Sequence, residues 1–165
     1  MRTNKNLLAG LVVAASGLLT TTAALSQVPQ YGANVNQDQA HKAVAAALAE
    51  ARKINVPMAV TVVDTAGQLV VFDRMDNTQT GSIAVSQDKA TSAAMFRRPT
   101  KAFQDAVAQG GAGLRILTLR GASAVEGGLP LVVDGKIIGA IGVSGGSAEQ
   151  DGVVAKAGAD ALSAK

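Results

Sequence analysis

The chain has 165 residues, of which 48% are hydrophobic and 16% are charged, and its formal net charge is +3. It contains no cysteine, which excludes disulfides, thiolate catalysis and thiolate metal sites. With one tyrosine, three phenylalanines and no tryptophan, its core must be built from alanine, valine, isoleucine and leucine.

The N-terminus has the pattern of a secretory signal peptide. Arg2 and Lys5 precede an uncharged, largely apolar stretch over residues 7–19, and small residues follow it. This stretch is shorter than the roughly 20 residues that a membrane-spanning helix needs, which argues against an anchor. We therefore expect residues 1–26 to be a signal peptide and residues 27–165 to form one exported domain, periplasmic or secreted, without stable membrane insertion.

Removing the signal peptide changes the charge of the chain. Arg2 and Lys5 are the only charged residues in it, so the formal charge falls from +3 to +1. A nearly neutral domain gives no electrostatic reason to expect nucleic acid or an anionic membrane as a partner.

Hydrophobic spacing and turn residues divide the rest of the chain into helices and strands. The predicted helices are residues 38–53, 82–96, 100–108 and 148–162, and the predicted strands are residues 58–63, 69–74, 129–133 and 136–143. Residues 114–119 are ambiguous, and we interpret them as a short fifth strand. Asp134-Gly135 is a strong type I′ hairpin signal between the last two strands. Hairpins interspersed with helices predict an α/β (α+β) fold, with helices flanking a central antiparallel sheet of about five strands.

The stretch GGLPLVVDGKIIGAIGVSGG, residues 127–146, is unusually rich in glycine. Glycines at such spacings indicate backbone that turns tightly or is closely approached by another group. The glycine-serine loop at its end lacks the lysine and the spacing of a phosphate loop. Glu149 and Asp151 follow in the first turn of the last helix and would oppose an anion there. We therefore interpret these glycines as structural.

A series of short motifs runs along the chain. They are VTVVD at residues 60–64 with Gly67, RMD at residues 74–76, Lys89-Ala90 with Ala93-Ala94, Arg98-Pro99-Thr100, and the glycine-rich stretch followed by Glu149-Gln150-Asp151. Taken in order, they resemble the GlcG/HbpS-like family (DUF336), which includes the C-terminal domain of PduO-type proteins. The resemblance covers about residues 38–162, and the glycine-rich stretch is its most specific part.

The resemblance carries expectations about fold, assembly and ligand. It implies a central antiparallel sheet flanked by helices, and homo-oligomers up to octamers. It also implies non-covalent binding of haem or a related tetrapyrrole, used for haem handling, scavenging or sensing. A sensing role would need a membrane or secreted partner. Other relatives lie beside glycolate or diol-utilisation functions.

The candidate binding site is a short basic segment, residues 97–101, at the junction of two predicted helices. Arginine suits bidentate binding of carboxylates such as haem propionates, and a helix that starts near Thr100 adds N–H donors. The resemblance places a haem site at this junction in some relatives, and one PduO-branch member has a histidine near the position of Lys101. The alternative is a solvated connector or a subunit contact. We expect the site to comprise Arg97, Arg98, Thr100 and Lys101 with Met95, Phe96 and Phe103 covering the ring.

His41 is the only histidine of the chain and the only imidazole that could hold haem iron. It lies in the first turn of a predicted helix among Gln39, Ala40 and Lys42. The alternative is an exposed surface residue without a metal.

Two further functions stay open at this point. An enzyme that acts on a small hydroxy- or oxo-acid would use Asp64, Asp76 and Asp151 with Arg74, because the two hairpin carboxylates and the arginine are expected at the open ends of the first hairpin. Lys89 would act as a nucleophile or base only if it were buried with a depressed pKa, and pairing with a carboxylate is the alternative. The third possibility is a structural oligomer whose glycine-rich hairpin only packs subunits.

Overall fold

The computed structural model describes residues 28–163, so the predicted signal peptide lies outside the described residues. The elements of the described part follow in the order α1 (Gln37–Lys53), β1 (Ala59–Val63), β2 (Leu69–Arg74), α2 (Gly81–Phe96), α3 (Lys101–Ala108), a 3-10 helix (Gly111–Thr118), β3 (Gly128–Val133), β4 (Lys136–Ser144) and α4 (Ala148–Ser163). Within residues 28–163, no helix combines the length and the apolar character needed to cross a membrane.

The strands of the described part form one antiparallel sheet in the order β2-β1-β4-β3. Every residue of β1 is buried, and so is every residue of β4 after Lys136, because helices cover both faces of the sheet. The β3–β4 hairpin closes at Asp134 and Gly135, whose φ angles of 48° and 74° are those that a type I′ turn requires. The sequence-based prediction of this turn is confirmed.

The sheet lies between two helical layers. On one face, α1 and α4 pack against each other and against side chains that alternate along the central strands, including Val60, Val62, Ile141 and Val143. On the other face, α2 packs against the residues between them, such as Ala140. This alternation explains why both central strands read as continuous apolar runs.

α2 lies close to the sheet because all of its buried residues except Lys89 are alanine or serine. Gly142 of β4 has no room for a side chain, since a Cβ there would lie 2.1 Å from the Ser86 carbonyl oxygen. Hydroxyl pairs join the layers, with 2.8 Å between Thr61 Oγ1 and Ser86 Oγ and 3.1 Å between Ser144 Oγ and Ser82 Oγ. The structural interpretation of this glycine is confirmed.

The segment before α1 is tied to the sheet and to α2. Gly32 N donates to Ile137 O and Ile137 N donates to Gln30 O, each at 2.8 Å. Between them, the Tyr31 hydroxyl donates to the Ala94 carbonyl at 2.8 Å. These bonds place residues 30–32 beside the start of β4 and the end of α2.

The predicted fifth strand is wrong, because residues 111–118 form the 3-10 helix and the described sheet has four strands. The chain turns back after α3 through Gly110 and Gly111, which have φ angles of 69° and 53°. Gly113 then packs directly on α3, where a Cβ would lie 1.9 Å from the Ala106 carbonyl oxygen. Apolar residues at positions 114, 116, 117 and 119 suit a short helix as well as a strand, so their spacing did not separate the two.

The outer edge of β3 is closed to a further strand by three devices. Thr100 N donates to Gly128 O at 3.0 Å, and Gly128 N donates to Thr100 Oγ1 at 2.9 Å. Pro130 has no N–H to offer, and the Ser163 hydroxyl donates to Val132 O at 3.3 Å. Such devices stop other chains from pairing with an edge strand.

Replacing Thr100 with valine keeps its shape and removes the acceptor for the buried Gly128 N–H. We expect the free energy of unfolding to fall by about 1–3 kcal/mol, the cost of an unsatisfied buried donor. Denaturant unfolding measures it. Thr118→Val is the matched control, because the Thr118 hydroxyl is exposed, and it should stay within about 0.5 kcal/mol of wild type. Equal losses in the two variants would contradict this role of Thr100.

Candidate functional site

The junction between α2 and α3 holds its two arginines in fixed positions. Arg97 ends α2 in the left-handed conformation, with φ 52° and ψ 40°, and its guanidinium carbon lies 5.5 Å from the centroid of the Tyr31 ring. Arg98 Nε donates to the Phe96 carbonyl at 3.2 Å, and its guanidinium carbon lies 5.5 Å from the centroid of the Phe103 ring. Both contacts have cation–π geometry.

Two aromatic rings, those of Phe96 and Phe103, pack beside Arg98. The rings of Phe96 and Phe103 meet edge to face, with centroids 5.2 Å apart and an interplanar angle of 88°. Phe103 is 4% exposed and anchors α3 against the end of α2. The predicted residues Phe96, Arg98 and Phe103 therefore form one cluster of contacting side chains.

A pocket of about 400 Å³ opens between α3 and the 3-10 helix, and we call it the α3 pocket. Its walls are mostly apolar, and its two charged residues are both arginines. The lining residues are Arg98, Ala102, Phe103, Ala106, Gln109, Ala112, Gly113, Arg115, Ile116 and Leu119. With no carboxylate in the lining, the pocket presents two positive charges beside an apolar wall.

A second cavity of about 400 Å³ follows the outer edge of β3, and we call it the β3 groove. Its lining is almost entirely apolar. The lining residues are Pro29, Arg97, Pro99, Leu129, Pro130, Val132, Ile137, Lys156, Ala159 and Asp160. Arg97 and Arg98 are adjacent in sequence but line different cavities, so the predicted basic cluster is divided in two.

Four other predicted residues, among them Phe96 of the aromatic pair, line neither cavity. Thr100 is fully buried, and its hydroxyl oxygen accepts the Gly128 N–H described above. Lys101 is half exposed and pairs with Asp105 at 2.7 Å, and this hydrogen bond raises the pKa of Lys101 above its ordinary value of 10.5. Met95 is 51% exposed on the outer side of α2. Thr100 therefore acts on the fold, and Lys101 is held by α3's own carboxylate.

Sequence reasoning missed Arg115. It lies in the stretch that was interpreted as a strand, where alternate side chains would point to opposite faces. The 3-10 helix instead turns residues 115, 116 and 119 toward α3 together. A helical interpretation of residues 111–118 would have suggested this site, since Arg115 is the only charged residue in that range.

His41 lies away from the α2–α3 junction. It is exposed on α1, which covers the opposite face of the sheet from α2, and it lines neither cavity. Among residues 28–163 there is no group of three histidine or carboxylate side chains placed to hold a metal ion.

The acidic residues of the enzyme hypothesis do not converge. Asp64 lies at the closed end of the first hairpin, where its Oδ1 accepts from Ala66 N at 2.8 Å and Gln68 N at 2.9 Å. Arg74 and Asp76 lie at the opposite end, because Val63 pairs with Leu69 while Ala59 pairs with Arg74. The expectation that Asp64 lies beside them is wrong, since five strand residues separate the two ends. Asp151 is buried elsewhere.

Lys89 is buried with a carboxylate partner. Its Nζ donates to Asp151 Oδ2 at 2.7 Å and to the Val143 carbonyl at 3.0 Å, and the two side chains are 1% and 4% exposed. Gly146 N donates to the other oxygen, Asp151 Oδ1, at 3.0 Å. Burial raises the pKa of the Asp151 carboxyl above its ordinary value of 3.8, whereas the hydrogen bonds from Lys89 and Gly146 act to lower it. Lys89 therefore follows the second of the two expectations for it, pairing with a carboxylate.

The family model for "Haem degrading protein HbpS-like" matches residues 35–160. The chain belongs to the HbpS-like family. This match takes in nearly the whole described fold, from the residue before the α1 cap into the last turns of α4. The resemblance identified from the sequence motifs is confirmed.

Named relatives cover most of the chain. An uncharacterised 15.0 kDa protein from the dhaT-dhaS intergenic region of Citrobacter freundii is 38% identical over 79% of this chain and 94% of its own length. Protein GlcG of Escherichia coli K12 is 40% identical over 67% of this chain and 81% of its own. The crystal structure of a PduOC–haem complex is 31% identical and aligns with a TM-score of 0.71 over 78% of this chain and 95% of that chain.

Breaking the Lys89–Asp151 pair tests its structural role. Lys89→Met leaves the Asp151 carboxylate buried without its cation, and we expect the free energy of unfolding to fall by about 3–5 kcal/mol. The double variant Lys89→Met/Asp151→Leu removes both charges and should recover most of that loss. Chemical denaturation measures all variants.

The exposed pair Lys156–Asp160 is the matched control, because its side chains are 68% and 62% exposed. Lys156→Met should lower the free energy of unfolding by no more than about 1 kcal/mol. If Lys89→Met costs as little as Lys156→Met, the buried pair does not hold the fold together.

Proposed function

We propose that the protein binds haem or a related tetrapyrrole non-covalently in the α3 pocket. Membership of the HbpS-like family and the likeness to the PduOC–haem complex support this ligand class. The charge of the pocket is the main reason for placing the ligand there. Arg98 and Arg115 stand at the pocket with no carboxylate in the lining, which suits a ligand with an apolar body and two carboxylates.

The walls of the pocket fit the flat part of such a ligand. Phe103, Ile116 and Leu119 contribute one aromatic and two aliphatic side chains to the lining, and Gly113 adds no side chain beside them. The volume of about 400 Å³ is within the range of small-molecule sites, roughly 300–1,000 Å³. A tetrapyrrole would therefore pack its ring on the apolar wall and direct its propionates to the two arginines.

The same lining does not provide a strong ligand for iron. Haem iron is usually held by histidine, cysteine, methionine or tyrosine, and none of these lines the α3 pocket. Bound haem would supply an iron centre capable of redox chemistry. The residues of this chain would recognise the ring and the carboxylates around it.

Export and assembly are further parts of the proposal. The signal-peptide pattern of residues 1–26 supports a periplasmic or secreted protein that handles, scavenges or senses haem. Leu114, Leu117 and Leu119 of the 3-10 region are 49%, 66% and 43% exposed, and this apolar surface supports a homo-oligomer. A contact there would bring a second copy close to the α3 pocket.

Haemin titration of the purified protein, followed by difference absorbance in the Soret region, tests the site. We expect saturation at one haemin per chain, and at least about a tenfold loss of affinity in Arg98→Ala and in Arg115→Ala, because each removes a charged hydrogen-bond donor. Arg52→Ala is the matched control, since it removes the same charge from α1 and should leave the affinity unchanged.

A thermal unfolding curve for each variant separates lost binding from lost folding. A non-saturating response of the wild-type protein would contradict haem binding itself. Saturable binding that survives both pocket substitutions would leave the ligand in place and contradict the α3 pocket.

A further inference from the structure

The β3 groove is a second cavity whose chemistry differs from that of the α3 pocket. It is walled by the α2–α3 junction on one side and by the last turns of α4 on the other, with β3 as its floor. Most of its lining is aliphatic or proline, from Pro29, Pro99, Leu129, Pro130, Val132, Ile137 and Ala159. A cavity with mostly apolar walls and a few fixed polar groups is typical of small-molecule sites.

An added peptide strand does not suit this groove. Several backbone groups along this edge are unavailable to an incoming strand, because Thr100 bonds the N–H and the carbonyl of Gly128, Ser163 bonds the Val132 carbonyl, and Pro130 has no N–H. Strand addition draws its affinity from main-chain hydrogen bonds, so a closed edge removes the basis for it. The occupant must instead use the apolar walls and the charges at the rim.

The charges at the rim add to one net positive charge. Lys156 and Asp160 pair with each other one turn apart on α4 and cancel. Among residues 28–163, no carboxylate forms an ion pair with Arg97. Arg97 is therefore the unmatched charge of the groove.

Arg97 is also held in place before any ligand arrives. Its backbone is fixed in the left-handed conformation at the end of α2, and its guanidinium lies over the Tyr31 ring. Tyr31 is in turn fixed by its hydrogen bond to the Ala94 carbonyl at 2.8 Å. A preorganised guanidinium binds a carboxylate with little loss of side-chain entropy.

We infer that the β3 groove binds a small monocarboxylate with an apolar body, such as a medium-chain fatty acid, with its carboxylate on Arg97. The apolar chain lies along Leu129, Val132 and Ala159, where it replaces water on the groove walls. One unmatched positive charge fits one carboxylate, whereas the two arginines of the α3 pocket fit a dianion. The two cavities therefore hold different ligands at the same time.

Calorimetric titration of the purified protein with octanoate and with octanol tests this site. We expect octanoate to bind saturably at one per chain, and octanol, which lacks the charge, to bind at least about tenfold more weakly. Arg97→Gln should reduce the affinity for octanoate to that for octanol. Arg52→Gln is the charge-matched control and should leave octanoate binding unchanged.

Two further measurements keep the result unambiguous. Ala159→Leu narrows the groove and leaves Arg97 unchanged, so it should weaken the binding of octanoate and of octanol to the same extent.

The second measurement is a competition experiment. Octanoate should bind with unchanged affinity in the presence of saturating haemin. Absence of saturable octanoate binding, equal affinity for octanol, or full affinity in Arg97→Gln would overturn the site. Displacement of octanoate by haemin would show that the two ligands share one cavity and would contradict two separate sites.

Discussion

The buried ion pair between Lys89 and Asp151 is the interaction on which the rest of the structure depends. It joins α2 to α4, although these helices lie on opposite faces of the sheet, and it holds the end of β4 through the Val143 carbonyl. Two charges out of water are costly unless every hydrogen-bonding position is used. Here Gly146 N serves the second carboxylate oxygen, and the described residues leave no buried side-chain nitrogen or oxygen without a partner.

The pair is connected to the α2–α3 junction through the glycines at the start of β3. A Cβ at Gly127 would lie 2.9 Å from Lys89 Nζ, and one at Gly128 would lie 2.3 Å from the Lys89 carbonyl oxygen. Gly128 in turn exchanges two hydrogen bonds with Thr100, directly before α3. The position of Lys89 therefore sets the position of the junction that presents Arg97 and Arg98. The glycines at the start of the long glycine-rich motif are therefore required for the close packing that supports this junction.

Local sequence signals predicted the elements whose causes are local. Helical spacing located α1, and Asp134-Gly135 located the turn of the second hairpin, because each signal depends only on residues that are close together in sequence. The helix at residues 111–118 was missed because its apolar spacing fits a strand equally well. What excludes the strand is the close contact of Gly113 with α3.

The residues that make up the candidate site could not all be predicted, because several of them are brought together by contacts between distant parts of the sequence. Lys89 and Asp151 are 62 positions apart, so the sequence showed both residues but not their pairing. Arg97 and Arg98 were expected to act together, yet the left-handed backbone at Arg97 directs one into each cavity. Arg115 entered the site only through the fold of the 3-10 helix. The family motifs predicted a site at the α2–α3 junction, and the geometry shows which of its side chains share a cavity.

If the α3 pocket recognises the ring and the carboxylates of a tetrapyrrole, removing the iron should change the affinity only slightly. The most direct test compares the dissociation constants of haemin and metal-free protoporphyrin IX for the purified protein under the same conditions. We expect the two constants to agree within about threefold, because the iron then adds little binding free energy. A tenfold difference would already correspond to about 1.4 kcal/mol of additional interaction from the iron. A haemin affinity a hundredfold or more above that of the metal-free ring would mean that a protein side chain coordinates the iron, and would contradict recognition by Arg98, Arg115 and the apolar wall alone.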